Sequence, residues 1–132
     1  VQVPYNLLDR RIESSGWLDK LNHDGVEIHS RSVFLQGLLL QKNHQRNKYF
    51  QKWENYFKLF DEWVNDSDQS VITLCLSLPF SSNKIKKVIV GVQNKFELID
   101  IVSSIPTDNV IKFPSDLNIE DPMLLNPSNW RL

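Results

Sequence analysis

The chain has 132 residues, a formal net charge of −1, and is 41% hydrophobic and 23% charged. These are the values of an ordinary globular domain. The charge balance and the scattered lysines exclude a nucleic-acid face, and no apolar run approaches the about 20 residues that a membrane helix needs.

The only methionine is Met123, no alanine occurs, and the chain opens on the apolar, extended Val1-Gln2-Val3-Pro4. A chain with this beginning is expected to be a piece of a longer one.

In chain order, residues 1–5 read as the end of a strand. A charged patch, Asp9-Arg10-Arg11, follows. Ser14 and Ser15 are helix-start residues, Trp17, Leu18 and Leu21 recur at helical spacing, and Gly25 sits in the usual stop position. Residues 26–34 are rich in β-branched side chains and predict a second strand, followed by Gly37 and Leu38-Leu39-Leu40. Residues 41–47 are polar and predict a loop. Tyr49, Phe50, Trp53, Tyr56, Phe57, Phe60, Trp63 and Val64 then fall on one helical stripe. An aromatic stripe of this kind predicts core rather than a ligand cage.

Val71, Ile72, Leu74, Cys75 and Leu78 predict a second buried helix that stops near Pro79. Lys84, Lys86 and Lys87 read as a solvated turn. Val88-Ile89-Val90 predicts a strand covered on both faces, ended by Gly91. Asn94 can cap a last helix whose apolar face is Phe96, Leu98, Ile99, Val102 and Ile105. The tail after Pro106 reads as loop with one short helix. Strand alternating with helix predicts a parallel α/β arrangement. Three parallel strands close poorly by themselves, since both edges want neighbours that this sequence does not supply.

Chemistry-bearing residues are few. Cys75 lies between Leu74 and Leu76 and predicts a buried thiol, and a single cysteine points to a reducing compartment. His23, His29 and His44 lack the spacing of metal ligands, so no metal site is predicted.

Three blocks carry a family resemblance: Gln2-Val3-Pro4-Tyr5-Asn6-Leu7-Leu8, residues 31–39, and Val88-Ile89-Val90-Gly91-Val92. In order and spacing the chain resembles the aldo/keto reductases. The resemblance implies the C-terminal portion, strands six to eight, of an eight-stranded (β/α) barrel that binds NADP or NAD. The whole of 1–132 then reads as one incomplete NAD(P)-binding barrel domain, apart from the aromatic insertion and the tail. Barrel active sites lie at the C-terminal ends of the strands, and loops after the last two strands often hold phosphate.

The resemblance also implies roles. Gln2 would hydrogen-bond the nicotinamide carboxamide. Arg31 stands where the family often stacks an aromatic residue on the nicotinamide; its guanidinium would stack there or pair with an anion, a buried structural ion pair being the plain alternative. Ser32, Leu35, Gly37 and Leu38 match the loop along the cofactor's phosphates. Gly91, Gln93 and Asn94 match the phosphate end of the next loop and helix. Glu97 stands where many members carry Arg or Gln near the ribose 2′-phosphate, which makes NAD credible beside NADP. Ile101 replaces an Asn that faces adenine.

The family's catalytic Asp, Tyr, Lys and His belong to earlier strands, so no catalytic residue is assigned here. The resemblance implies a cytoplasmic NAD(P)H-dependent oxidoreductase reducing a carbonyl or sugar substrate. A non-catalytic cofactor-binding or regulatory module and a self-sufficient interaction domain are the other two readings. As given, the chain is expected to be inactive, to self-associate, and to take the missing N-terminal part of the barrel as its partner.

Overall fold

The computed structural model describes residues 1–107 and 111–132. Three short strands, β1 (Gln2–Pro4), β2 (Ile28–Arg31) and β3 (Ile85–Val88), form one parallel sheet in the order β1-β2-β3. The predicted parallel α/β arrangement is therefore present. Gln2, His29 and Lys87 stand in one register row. Strand alternation sends Ile28 and Ser30 to one face, where both are buried, and His29 and Arg31 to the other. Helices cover only the first face, and the second is open.

Between β1 and β2 the chain makes α1 (Arg11–Ser14) and α2 (Trp17–His23). Ser14 and Ser15 end α1 rather than start a helix; α2 starts from Gly16, at φ +77, and the turn after it uses Gly25, at φ +72. Both glycines accept backbone that side-chain-bearing residues resist.

The second strand is shorter than expected. It stops at Arg31 because Ser32 turns into left-handed backbone, φ +59. The polar segment 41–47 is not all loop: Asn43–Gln45 forms a 3-10 turn. The aromatic stripe is not one helix. A 3-10 segment, Lys48–Trp53, opens where Asn47 accepts from the Tyr49 amide, and α3 (Glu54–Asp66) continues from it. Its role in the core is as expected, with Phe50, Trp53, Phe57 and Phe60 all buried.

The next helix, α4 (Val71–Ser81), is capped by Ser70, whose hydroxyl accepts from the Thr73 amide. It ends at Ser81, two residues past Pro79. The ring removes a single N–H, and Leu78 and Pro79 are both buried, so packing carries the helix two residues further. Cys75 is fully buried here, and burial pushes its thiol pKa well up. A free-thiol reagent at pH 8 is expected to label Cys75 only after denaturation. The unfolded chain ionises this thiol above its ordinary value of 9.0 while the folded chain keeps it neutral, so stability is expected to fall as pH rises past that point. A pH series of urea unfolding curves reads this.

Three corrections concern the last strand and helix. Lys86 and Lys87 lie on β3, not in a turn, because the strand starts at Ile85. Residues 88–90 are not covered on both faces: Val88 and Val90 pack on the core while Ile89 is exposed. The following helix, α5 (Lys95–Ser103), packs by the face opposite to the expected one. Its burial recurs at Glu97, Ile101 and Ser104, and Phe96, Leu98, Ile99, Val102 and Ile105 are exposed, Phe96 by 67%.

The tail adds α6 (Pro122–Leu125) between 3-10 turns at Ser115–Leu117 and Pro127–Asn129. It is more ordered than predicted, since Leu117, Ile119, Leu124 and Leu125 are buried in the core. Residues 108–110 of the expected loop lie outside the described residues.

Candidate functional site

The C-terminal ends of β2 and β3 run into two loops that share a groove of about 660 Å³. Arg31, Ser32 and Gly37 line it from the first loop, and Gly91, Gln93 and Glu97 from the second loop and the start of α5. The structure thus brings together residues separated by more than fifty positions in the chain.

The first loop is held in unusual backbone. Ser32, Leu35 and Gln36 have φ of +59, +45 and +55, and Gly37 has φ of +80. Left-handed non-glycine residues are uncommon, and each costs of the order of 1–2 kcal/mol. Two devices hold them there. Leu35 and Leu38 are buried and anchor the loop from below. Asn6, fully buried, donates from Nδ2 to the Ser32 carbonyl at 3.0 Å and accepts from the Leu8 and Asp9 amides at Oδ1, both at 3.0 Å. Strain maintained by its surroundings in this way concentrates at ligand sites.

Gly37 and Gly91 differ in kind. A Cβ at either would meet nothing within 4 Å, but only Gly37 has positive φ. Gly37→Ala is expected to destabilise the chain by about 1 kcal/mol through the backbone alone. Gly91→Ala is expected to be close to neutral. Paired urea titrations separate them, and equal losses would contradict this account.

The second loop is self-contained. Asn94 caps α5, its Oδ1 accepting from the Phe96 and Glu97 amides at 2.9 and 3.0 Å. The Glu97 carboxylate accepts from the Gln93 amide at 2.8 Å and from Asn94 Nδ2 at 3.3 Å. A side-chain anion therefore already sits at this helix start.

The other expected site residues fall as follows. Arg31 is exposed and donates to Ser32 Oγ at 3.2 Å. Among the described residues it makes no ion pair, so the buried-pair alternative does not hold. Gln2 is exposed on β1, one row below Arg31 on the open face. Leu35 and Leu38 are core and do not line the groove. Asp100, Ile72 and Leu40 line it without having been singled out from the sequence. Asp100 follows Glu97 by three residues on the same helix, a spacing that could have shown it. A larger groove, about 820 Å³, lies between Trp63, Thr73, Ser103 and Pro106 and contains none of these residues.

Three parallel strands with covering helices, and a groove at the strands' C-terminal ends, define part of a parallel (β/α) barrel. The family model of the aldo/keto reductase family matches residues 1–112, and the chain belongs to that family. Comparison with curated proteins found no match. Among solved structures, the chain is similar to an aldo-keto reductase, AKR11C1, from Bacillus halodurans in its holo and apo forms. Each matches with a TM-score of 0.64 and 19% identity, over 83% of this chain and 38% of that one. At this identity the likeness shows the fold. The chain spans 38% of the length of the reductase it matches.

Proposed function

We propose that the chain supplies the cofactor-holding loops of an NAD(P)H-dependent oxidoreductase that reduces a carbonyl or sugar substrate. The observation that carries this is the loop from Ser32 to Gly37, left-handed at Ser32, Leu35, Gln36 and Gly37, pinned by Asn6 and facing Gly91 and Gln93 across one groove. The donor set suits a dinucleotide. Arg31 offers a cation and Ser32 a hydroxyl at one end, matching a pyrophosphate, and Glu97 and Asp100 offer acceptors at the other, matching ribose hydroxyls or an amine.

When bound, the nicotinamide would supply hydride chemistry. This chain's residues would hold it: Gln2 toward the carboxamide, Arg31 toward an anionic group, and Ser32 with the 32–37 backbone along the phosphates. The proton-donating residues belong to strands outside this sequence, so the chain alone is expected to be inactive. Its natural partner is then the N-terminal part of the same barrel. Without it, the exposed apolar side of α5 favours self-association. No helix among the described residues is long and apolar enough to cross a membrane. The lone buried Cys75 suits a reducing, cytoplasmic location.

The experiment is fluorescence titration of the full-length protein with NADH and NADPH. Glu97 beside the groove repels a 2′-phosphate, so NADH is expected to bind more tightly. Glu97→Arg is expected to move the ratio toward NADPH by about tenfold, equivalent to about 1.4 kcal/mol. Circular dichroism checks that the lost cap has not unfolded α5. A ratio unmoved by the substitution would place the 2′ end elsewhere. Binding without oxidation of the reduced cofactor by any carbonyl substrate would instead favour the non-catalytic module, a reading that the self-capped start of α5 supports.

A further inference from the structure

The groove of about 820 Å³ between the aromatic insertion and the end of α5 shares no lining residue with the cofactor groove. Its volume is that of a small-molecule site. The insertion supplies Trp63, Asp68 and Gln69, the first turn of α4 supplies Thr73, the end of α5 supplies Ser103, and the tail supplies Lys112.

Trp63 is held in place by two neighbours. Its ring lies 6.3 Å from Phe60 on the same helix and 6.3 Å from Phe113 of the tail, and the half-buried indole still borders the groove. The loop beside it is tied down by its own groups. The Gln69 amide donates to Ser67 Oγ at 3.1 Å, and the Ser70 hydroxyl accepts from the Thr73 amide and shares a hydrogen bond of 2.9 Å with Thr73 Oγ1. The Asp68 and Gln69 side chains are left over. Both residues are exposed, and neither side chain enters an ion pair or a hydrogen bond among the described residues.

Charge and polarity narrow the ligand. An anion would meet the Asp68 carboxylate, and a cation would meet Lys112 and the positive end of α4. An apolar ligand would cover a carboxylate, an amide and hydroxyls without replacing their water, which costs free energy. A neutral ligand rich in hydroxyl groups meets none of these penalties. Its O–H groups can donate to Asp68 and exchange hydrogen bonds with Gln69, Thr73 and Ser103. Its C–H face suits the electron-rich face of an indole. We propose that this groove binds a neutral saccharide, with a sugar ring against Trp63 and its hydroxyls on Asp68 and Gln69. The site stands apart from the cofactor loops and does not depend on how they are read.

The test uses the full chain, isotopically labelled in tryptophan alone. The Trp63 indole resonance is identified by its absence in Trp63→Phe or, where that variant does not fold, by its Overhauser contact with the Phe113 ring. Four neutral disaccharides (maltose, cellobiose, lactose and diacetylchitobiose) are titrated in turn, with galacturonic acid and glucosamine as charged controls. At least one neutral sugar is expected to shift the Trp63 resonance saturably in the millimolar range, and the charged controls to shift it less. Asp68→Ala is expected to weaken that response about tenfold, the ordinary cost of losing a hydrogen bond to a charged group. Saturating NADH is expected to leave the response in place. No shift with any of the four sugars, an equal or larger shift with a charged control, full-strength binding in Asp68→Ala, or displacement by NADH would overturn the proposal. Failure of NADH itself to bind counts against the cofactor reading alone.

Discussion

Phe57→Ala is expected to lower stability by about 4 kcal/mol, the usual cost of emptying a buried aromatic site. Phe57 is 2% exposed, and its ring meets Phe50 edge-on at 6.2 Å. The Arg46 guanidinium lies 4.4 Å over the ring and is held by Asp61 through two hydrogen bonds of 2.7 and 2.5 Å. The Arg46 side chain is itself buried, and its Nε has no partner among the described residues. The ring therefore shields a desolvated cation as well as filling volume, and its removal opens a cavity beside a charge. Leu59, on the exposed side of α3, is the control, and Leu59→Ala is expected to stay within about 0.5 kcal/mol. Urea midpoints for the two variants check this, and equal midpoints would contradict the packing assignment.

Asn6→Ala is expected to cost about 3 kcal/mol and to disable the groove as well. Its side chain makes three hydrogen bonds from a fully buried position. Truncation leaves the Leu8 and Asp9 amides and the Ser32 carbonyl without that partner, and unmet buried groups cost more than a typical hydrogen bond contributes. The Ser32 carbonyl also accepts from the Leu35 amide, so the left-handed turn loosens at its base. Two readouts separate the roles. Denaturant unfolding reports the loss of stability, and dinucleotide titration below the unfolding transition reports the loss of loop geometry. Binding at full strength in a destabilised Asn6→Ala variant would show that the loop holds its shape without the clamp.

The strands, their parallel order and the two site loops were legible in the sequence because they rest on local signals: β-branched runs, glycines and blocks of family pattern. Asn6 was not. An asparagine after a strand reads as an ordinary turn residue, and only the fold shows that it reaches residue 32. The direction of α5 was misread because hydrophobicity shows where apolar side chains lie, not which face finds a neighbour. Its buried stripe runs through Glu97 and Ile101, and the larger apolar side faces solvent. The lysines of β3 were misplaced for a related reason. Period-two burial marks a strand, and the register irregularity between β2 and β3 breaks that period, leaving Ile85 and Val88 partly buried with both lysines exposed between them. In the candidate site, the polar groove residues were read from family pattern, whereas Leu35 and Leu38, read from the same pattern, are buried anchors beneath it.

The insertion and the tail are tied to each other across a long stretch of chain. Trp53 Nε1 donates to the Asp121 carboxylate at 2.9 Å, Tyr49 donates to the Met123 and Asn129 carbonyls, and the Trp130 ring packs on Phe50 at 4.9 Å. Neither segment has a core of its own, so each is ordered by the other. They should open and close together as one cooperative unit, with the amides of α3 and α6 exchanging their protons at a common rate. A substitution that loosens one segment should therefore expose the amides of the other.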